Sequence, residues 1–298
     1  MSPTSASQPL DHRGEPLCLL TVHAHPDDEA SKGAGTVAAV HAEGIRTVLV
    51  CCTGGEEGEV LNPAMDRPEV HADLAGVRMA ELAASATIIG YDEVALLGYR
   101  DSGMPDSEAN ARPECFARAD FDEAVGRLVE VIRRERPQVI VTYNDDQSGY
   151  PHPDHLRVHE ITLPAFALAG DPTAYPDAGE PWAPSKLYYT VWNLSRIKLI
   201  HAKMLELGVE SPFTDEWFTR PSQDDRITTS VDVGAWYHVR KQALLAHATQ
   251  VAPDSPFWFG LPDDVAAGLH PYDDYVLAQS RVPAEVPEHD LFAGVRAG

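Results

Sequence analysis

The stretch LCLLTVHAHPDDEASKGA, residues 17–34, decides how the rest of the chain is read. Leu17–Val22 is a short apolar run ending in a polar turn, the pattern of a buried strand. Behind it, His25–Glu29 packs one imidazole and three carboxylates into five positions. Such a loop suits a metal ion. It also suits an acidic helix start, with Asp27 or Asp28 capping a helix that begins near Ser31. Taken alone, the loop does not choose between them.

Working outward, Gly33–Ala42 reads as a helix of small residues and Arg46–Cys52 as a second strand rich in β-branched and apolar side chains. The glycine- and proline-bearing TGGEEGEVLNPAMDRPEV reads as a long loop. Ala72–Ile89 has helical spacing, with Leu74, Val77, Leu82 and Ala86 on one side, and Glu93–Leu97 is a short strand. Arg100–Pro113 is turn-rich. Phe121–Arg134 is an amphipathic helix that stops before Pro137, and Gln138–Thr142 is another buried strand. Strands alternating with helices predict an α/β fold: a Rossmann-like, mostly parallel sheet with helices on both faces. The second half is less regular, with a strand at Lys186–Asn193 and helices at Arg196–Leu207 and Trp236–Ala248. The proline-rich Asp171–Pro184 reads as a loop packed beside the site. Residues 1–15 are expected to be a flexible tail, and 16–298 a single catalytic domain completed by the less regular half.

The 298 residues carry 46 acids against 23 bases, a net charge of −23. Non-specific binding to nucleic acid or anionic membrane needs Lys and Arg for the phosphates, so neither partner is expected. No apolar run approaches the roughly 20 residues that span a bilayer, and the polar N-terminus lacks a signal-peptide core. Cys18, Cys51, Cys52 and Cys115 form no CxxC pair and sit mostly in strand-like runs. They read as buried free thiols of a cytoplasmic protein rather than zinc ligands.

In an open parallel sheet, ligands bind beyond the carboxyl ends of the strands. Those ends carry HAHPDDEASKGA, TGGEEGE, GYRDSG and YNDDQSGYPHPDH. A dinucleotide site would need GxGxxG after the first strand; here carboxylates stand there and would repel phosphate. The glycines of TGGEEG are followed by Glu56, Glu57 and Glu59, which argues against a phosphate cradle as well. A divalent ion with nitrogen and oxygen ligands fits better. His25 and Asp28, three apart, come from one loop, and His152 and His155, also three apart, from another.

AHPDDE after the first strand and a later GYPHPDH resemble the signature of the LmbE-like, or PIG-L, zinc-dependent N-deacetylases and amidases, over nearly the whole chain. SKGA, LNPAMDRPEV, DSGMP, DAGEPWAPSKLYY and AHATQ resemble the branch whose members cleave the amide of mycothiol S-conjugates. The implied products are a mercapturic acid and glucosaminyl-inositol, in thiol-dependent detoxification. A sister branch deacetylates the acetylated glucosaminyl-inositol precursor, and paralogues trim mycothiol adducts in natural-product pathways. The resemblance implies His25, Asp28 and His155 as zinc ligands, with Fe2+ the other candidate ion, and Asp27 as general base. It implies His152 and Tyr150 as transition-state stabilisers and Asp154 as the residue that orients His152. Either His152 or protonated Asp27 would protonate the leaving amine.

Lys32, Glu57, Arg78 and Asp101 are implied at the substrate, a small pseudodisaccharide thiol conjugate. Glu57 stands where most amidases of the family carry arginine (TGGERG), an acidic form closer to the deacetylase branch that bears on which acyl group is accepted. His247 fits either a supporting role or an ordinary helix position, and Glu29 a supporting role. His23, His41, His71, His159 and His201 have no partner pattern. Oligomeric state is not legible.

Overall fold

Residues 8–297 are described by a computed structural model of the chain. Strand β1 (Cys18–His23) is buried at every position and pairs in parallel with β2 (Arg46–Thr53) on one side and β4 (Val139–Thr142) on the other. β3 (Glu93–Tyr99), β5 (Lys186–Thr190), β6 (Thr229–Asp232) and β7 (Tyr272–Ser280) complete one sheet in the order β3-β2-β1-β4-β5-β7-β6. The pairs from β3 through β5 are parallel, and β7 is antiparallel to both β5 and β6. The expected mostly parallel α/β sheet is therefore present, with an antiparallel edge that the sequence reading lacked.

The helices are α1 (Asp28–Ser31), α2 (Ala34–Ala42), α3 (Pro68–Ala72), α4 (Leu74–Ile89), α5 (Phe121–Glu135) and α6 (Pro153–Leu168) in the first part. α7 (Leu194–Glu206), α8 (Asp215–Phe218), α9 (Tyr237–Ala246), α10 (Pro256–Phe259) and α11 (Asp263–Leu269) follow. No described helix is long and apolar enough to cross a membrane.

The period-2 alternation of β1 feeds two cores. Cys18, Leu20 and Val22 pack with Leu128 and Ile132 of α5 and with Val158 and Ile161 of α6. Leu19 faces the other way, into Val37 of α2, Ala243 and Leu244 of α9, and Phe292. Burial on both faces explains why β1 reads as a continuous apolar run. Each fully buried leucine contributes roughly 1.5–3 kcal/mol, so β1 is anchored independently of anything bound at its end.

Several local expectations are corrected. The single helix expected over Ala72–Ile89 begins at Leu74, where the Asp73 side chain accepts from Gly76 N–H at 3.0 Å, and α3 precedes it. The HPDH segment is not a plain loop. Pro153 opens α6 at a position where a missing N–H costs nothing, and His152 caps it, Nδ1 accepting from Asp154 N–H at 3.2 Å. α9 stops at Ala246, so His247 stands just beyond the helix. The Asp171–Pro184 loop lies at the opposite rim from the site: Trp182 Nε1 donates to Pro137 O at 2.6 Å, at the amino end of β4, and Arg133 Nη1 and Nη2 donate to carbonyls from Tyr175 and Ala174. Of the tail expected over residues 1–15, residues 1–7 lie outside the described residues. Its later part is tied down: Asp11 is buried, its side chain accepts from Glu15 N–H and Gln138 Nε2, and its backbone pairs antiparallel with that of Arg296. All four cysteines are buried and unpaired.

Candidate metal centre

The chain runs β1, β2, β3 outward in one direction, then returns to place β4 on the other side of β1. The crevice of such a sheet opens where the order reverses. The loops carrying His25 and His152 leave the sheet at that point.

The first loop makes a sharp turn, with Asp27 at φ 118, a left-handed conformation that non-glycine residues rarely adopt. The surroundings hold it there. Arg78 on α4 donates from Nη2 to Pro26 O at 2.5 Å and to Asp27 Oδ2 at 3.0 Å, and from Nη1 to Gly55 O at 2.7 Å. Asp27 N–H donates to Glu29 Oε2 at 2.9 Å. The turn sends Asp28 inward, while the Asp27 side chain keeps 30% of its surface open. Arg78, expected at the substrate, is buried and engaged with the loop itself. The glycines after β2 make room for it: a Cβ at Gly55, whose φ is +69, would lie 2.3 Å from Arg78 Nη1.

Asp28 Oδ2 lies 3.5 Å from His25 Nδ1 and 3.4 Å from His155 Nε2. It also accepts from the Tyr143 hydroxyl at 2.6 Å, and the Tyr143 ring stacks on His155 with centroids 4.4 Å apart. One nitrogen from each of His25, His152 and His155 falls within a 4.8 Å cluster. The structure thus gathers the expected ligands His25, Asp28 and His155, with His152 beside them. Tyr143, absent from the expectations, stands just past the end of β4 behind an apolar run, so nothing local marks it.

Behind His25 stand two more carboxylates. Its Nε2 lies 3.1 Å from Asp154 Oδ2 and 3.6 Å from Asp101 Oδ1. Asp154 also accepts from Ser102 N–H at 2.9 Å and from the Ser102 hydroxyl. The Asp154 carboxylate, expected to orient His152, bonds His25, while the Asp154 backbone N–H donates to His152 Nδ1. Asp101, expected at the substrate, is buried against His25 and accepts from Gly103 N–H at 2.8 Å.

The charge state suits a cation. Burial pushes the Asp28 carboxyl up, but Lys32 and His155 outweigh it and hold it well below the ordinary range. Burial, reinforced by His25, brings His152 down to about 4, and burial brings His155 down to about 3. Burial favours a neutral His25, but Asp101, Asp154 and Asp28 outweigh it and raise it well above 6.5. Two neutral imidazoles and a third backed by carboxylates, around a fixed carboxylate, are a donor set for a divalent ion that takes nitrogen and oxygen.

Around the rim, Lys32 Nζ bonds Asp28 Oδ1, lies 3.3 Å from Ser31 Oγ, and sits 5.4 Å above the Tyr143 ring. Its contact is with the Asp28 carboxylate. Glu57 pairs with Arg100 and Arg112 at 2.6 Å each, so the acid at this position is already neutralised by two guanidiniums. Tyr150 is 54% exposed at the mouth, its ring centroid 5.5 Å from that of His155 and its hydroxyl 3.8 Å from Met104 Sδ. Glu29 is fully buried. Its Oε1 accepts from Ser85 Oγ at 2.5 Å and lies 2.6 Å from His247 Nε2. Ser85 and Ser102 went unread because a serine carries no pattern until its partner is known.

Comparison with known proteins agrees with this geometry. Residues 20–166 match the family model PIG-L, GlcNAc-PI de-N-acetylase. The chain is 42% identical over 290 residues to the mycothiol S-conjugate amidase of Streptomyces coelicolor, covering 94% of this chain and 98% of that one. It is 40% identical to the 1D-myo-inositol 2-acetamido-2-deoxy-alpha-D-glucopyranoside deacetylase of Geodermatophilus obscurus, over 93% and 97% of the two chains. Among solved structures it resembles the N,N'-diacetylchitobiose deacetylase of Pyrococcus horikoshii, with TM-score 0.60 over 87% of this chain and 83% of that one. At 17% identity, that likeness speaks for the fold alone. The chain belongs to the PIG-L family, and the relatives named above, an amidase and a deacetylase, act on amide C–N bonds.

Proposed function

We propose that this protein is a zinc-dependent amidase that hydrolyses mycothiol S-conjugates to an N-acetylcysteine S-conjugate and glucosaminyl-inositol. The observation that carries the reading is the Asp28 carboxylate seated between His25 and His155, next to a non-ligating Asp27 that faces the opening. The relative from Streptomyces coelicolor supplies the substrate class. His25, Asp28 and His155 would hold the ion, zinc by preference and Fe2+ as the other N/O-compatible ion. When bound, it supplies Lewis acidity that lowers the pKa of a water molecule and polarises the acyl oxygen.

The chain's own residues do the rest. Arg78 fixes Asp27 through Oδ2, leaving the other carboxylate oxygen to take a proton from the attacking water. Because His152 Nδ1 accepts from Asp154 N–H, a neutral His152 carries its proton on Nε2. That makes His152 a hydrogen-bond donor to the developing oxyanion rather than a ligand. Tyr150, at the mouth, is the second donor. The proton collected by Asp27 goes to the departing glucosamine nitrogen as the C–N bond breaks, so water is added across the amide with no net proton change. Lys32 and Asp101 serve the metal site, through Asp28 and His25, before they serve the substrate. We place the enzyme in the cytoplasm, where unpaired cysteines persist, as a single catalytic domain over residues 16–298 acting on a small molecule.

A deacetylase acting on the acetylated glucosaminyl-inositol precursor is the second reading. It is favoured by relatives such as that of Geodermatophilus obscurus and by the acidic Glu57. A metal-exchange experiment tests what both share. Protein stripped with chelator should lose amide cleavage and regain it with Zn2+ or Fe2+; full activity in the stripped protein would exclude both.

A further inference from the structure

Away from the metal centre, α7, α9, α10 and α11 enclose a pocket that shares no lining residue with it. Its wall is aromatic. Phe257 stacks on Trp192 at 5.9 Å and 19°, and Trp258 meets Phe257 edge-on at 4.8 Å. Trp192 is 42% exposed, so the aromatic surface is open to solvent. Two cationic side chains, Arg196 of α7 and Arg240 of α9, line the same pocket.

Most arginines of this chain are engaged, such as Arg78 by Asp27, Arg133 by backbone carbonyls and Arg226 by Asp145; Arg220, within the described residues, meets only the Trp217 ring, at 3.9 Å. Among the described residues, neither the Arg196 nor the Arg240 guanidinium forms an ion pair or hydrogen bond. Arg240 has only the Trp258 ring, 5.6 Å away. The nearby acids are occupied elsewhere: Asp273 accepts from Thr36 N–H and Oγ1 at 3.0 Å each, and Asp274 pairs with His270 at 2.8 Å. Burial and the neighbouring Arg196 together bring Arg240 down to about 10. With 46 acids against 23 bases in the chain, two half-buried guanidiniums without a carboxylate are a departure that a bound anion would resolve.

We propose that this pocket binds a small organic carboxylate, its anionic group taken by Arg196 and Arg240 and its aryl or alkyl body laid on Trp192, Phe257 and Trp258. The guanidiniums supply charge-assisted hydrogen bonds to the carboxylate, and the rings select for an apolar body over an inorganic anion. The site stands apart from the catalytic reading, since none of its residues touches the metal ligands.

Calorimetric titration of the full chain with 3-phenylpropanoate tests this. Binding is expected with 3-phenylpropanoate, and at least about tenfold weaker with 3-phenylpropanamide, acetate or inorganic phosphate, since a charged hydrogen bond or a stacked ring is missing in each. The same loss is expected in Arg196→Gln and Arg240→Gln, with binding unchanged in Asp28→Asn. The comparison among ligands needs no variant, so it stands even if a substitution unfolds the protein. Equal binding of acetate, retention in the doubly substituted Arg196→Gln/Arg240→Gln protein, or no heat at millimolar ligand would overturn the proposal. Loss in Asp28→Asn alone would place the carboxylate on the metal and overturn it too. Because amide cleavage is not measured, failure here leaves the proposed reaction standing, and failure of the reaction leaves this site standing.

Discussion

Glu29 Oε1 lies 2.6 Å from His247 Nε2, and both side chains are fully buried. The pair joins residues 218 positions apart, and through Glu29 Oε2 it holds the N–H of Asp27. It therefore braces the strained turn between Asp27 and Asp28. Removing one partner leaves a buried charge uncompensated, which typically costs about 3–5 kcal/mol. His247→Ala should lower unfolding free energy in urea by that order and reduce turnover while metal content stays. A stability loss under about 1 kcal/mol would show that the pair braces nothing.

The same pair carries a pH signature. Burial favours the neutral ring, but Glu29 outweighs it and raises His247 above 6.5. A group whose folded value is raised contributes stability that is complete below its unfolded value and lost as pH rises through the folded one. The stability gap between the wild type and His247→Gln should therefore narrow as pH rises above about 6.5. Urea melts at a series of pH values would reveal this, and a gap that widens toward alkaline pH would reverse the assignment.

Asp154 offers a test of which imidazole it serves. Its carboxylate is 3.1 Å from His25 Nε2, so Asp154→Asn disturbs the partner of a proposed metal ligand. Such changes weaken metal binding about 10–100-fold. Metal competition with a chelating dye should show that drop. Unchanged metal affinity with a fallen rate would return Asp154 to the role of orienting His152.

How much of this was legible in advance follows from physics. β1, β2 and β4 announce themselves because parallel strands buried on both faces need unbroken apolar runs. β7 hid because its start, Tyr272–Asp274, carries two acids that read as loop until their partners Thr36, Ser230 and His270 are seen. α6 hid behind the prolines at 153 and 164. The spacing within the HPDDE and HPDH loops pointed to the candidate metal residues, which the structure brings together. The supports were less legible: Tyr143 and Ser102 went unread, Arg78 was expected at the substrate, and His247 had a supporting role as one of two readings, because all four reach the centre through tertiary packing, which no local pattern encodes.

Asp27 and His155 should separate chemistry from binding. Asp27→Asn keeps the ligands and removes the proton acceptor, so the rate should fall about 10²–10⁴-fold at unchanged metal content. His155→Ala removes a ligand and should lower metal content itself. Elemental analysis beside initial rates distinguishes them; equal metal loss in both would make Asp27 a ligand.

The most direct measurement sets two substrates before the same zinc-loaded protein: a bimane conjugate of mycothiol and acetylated glucosaminyl-inositol. Initial rates are followed by release of the bimane N-acetylcysteine product and of free amine. The account expects the conjugate to be cleaved with the higher kcat/KM. Cleavage of the acetylated precursor alone would contradict it and make the protein a deacetylase.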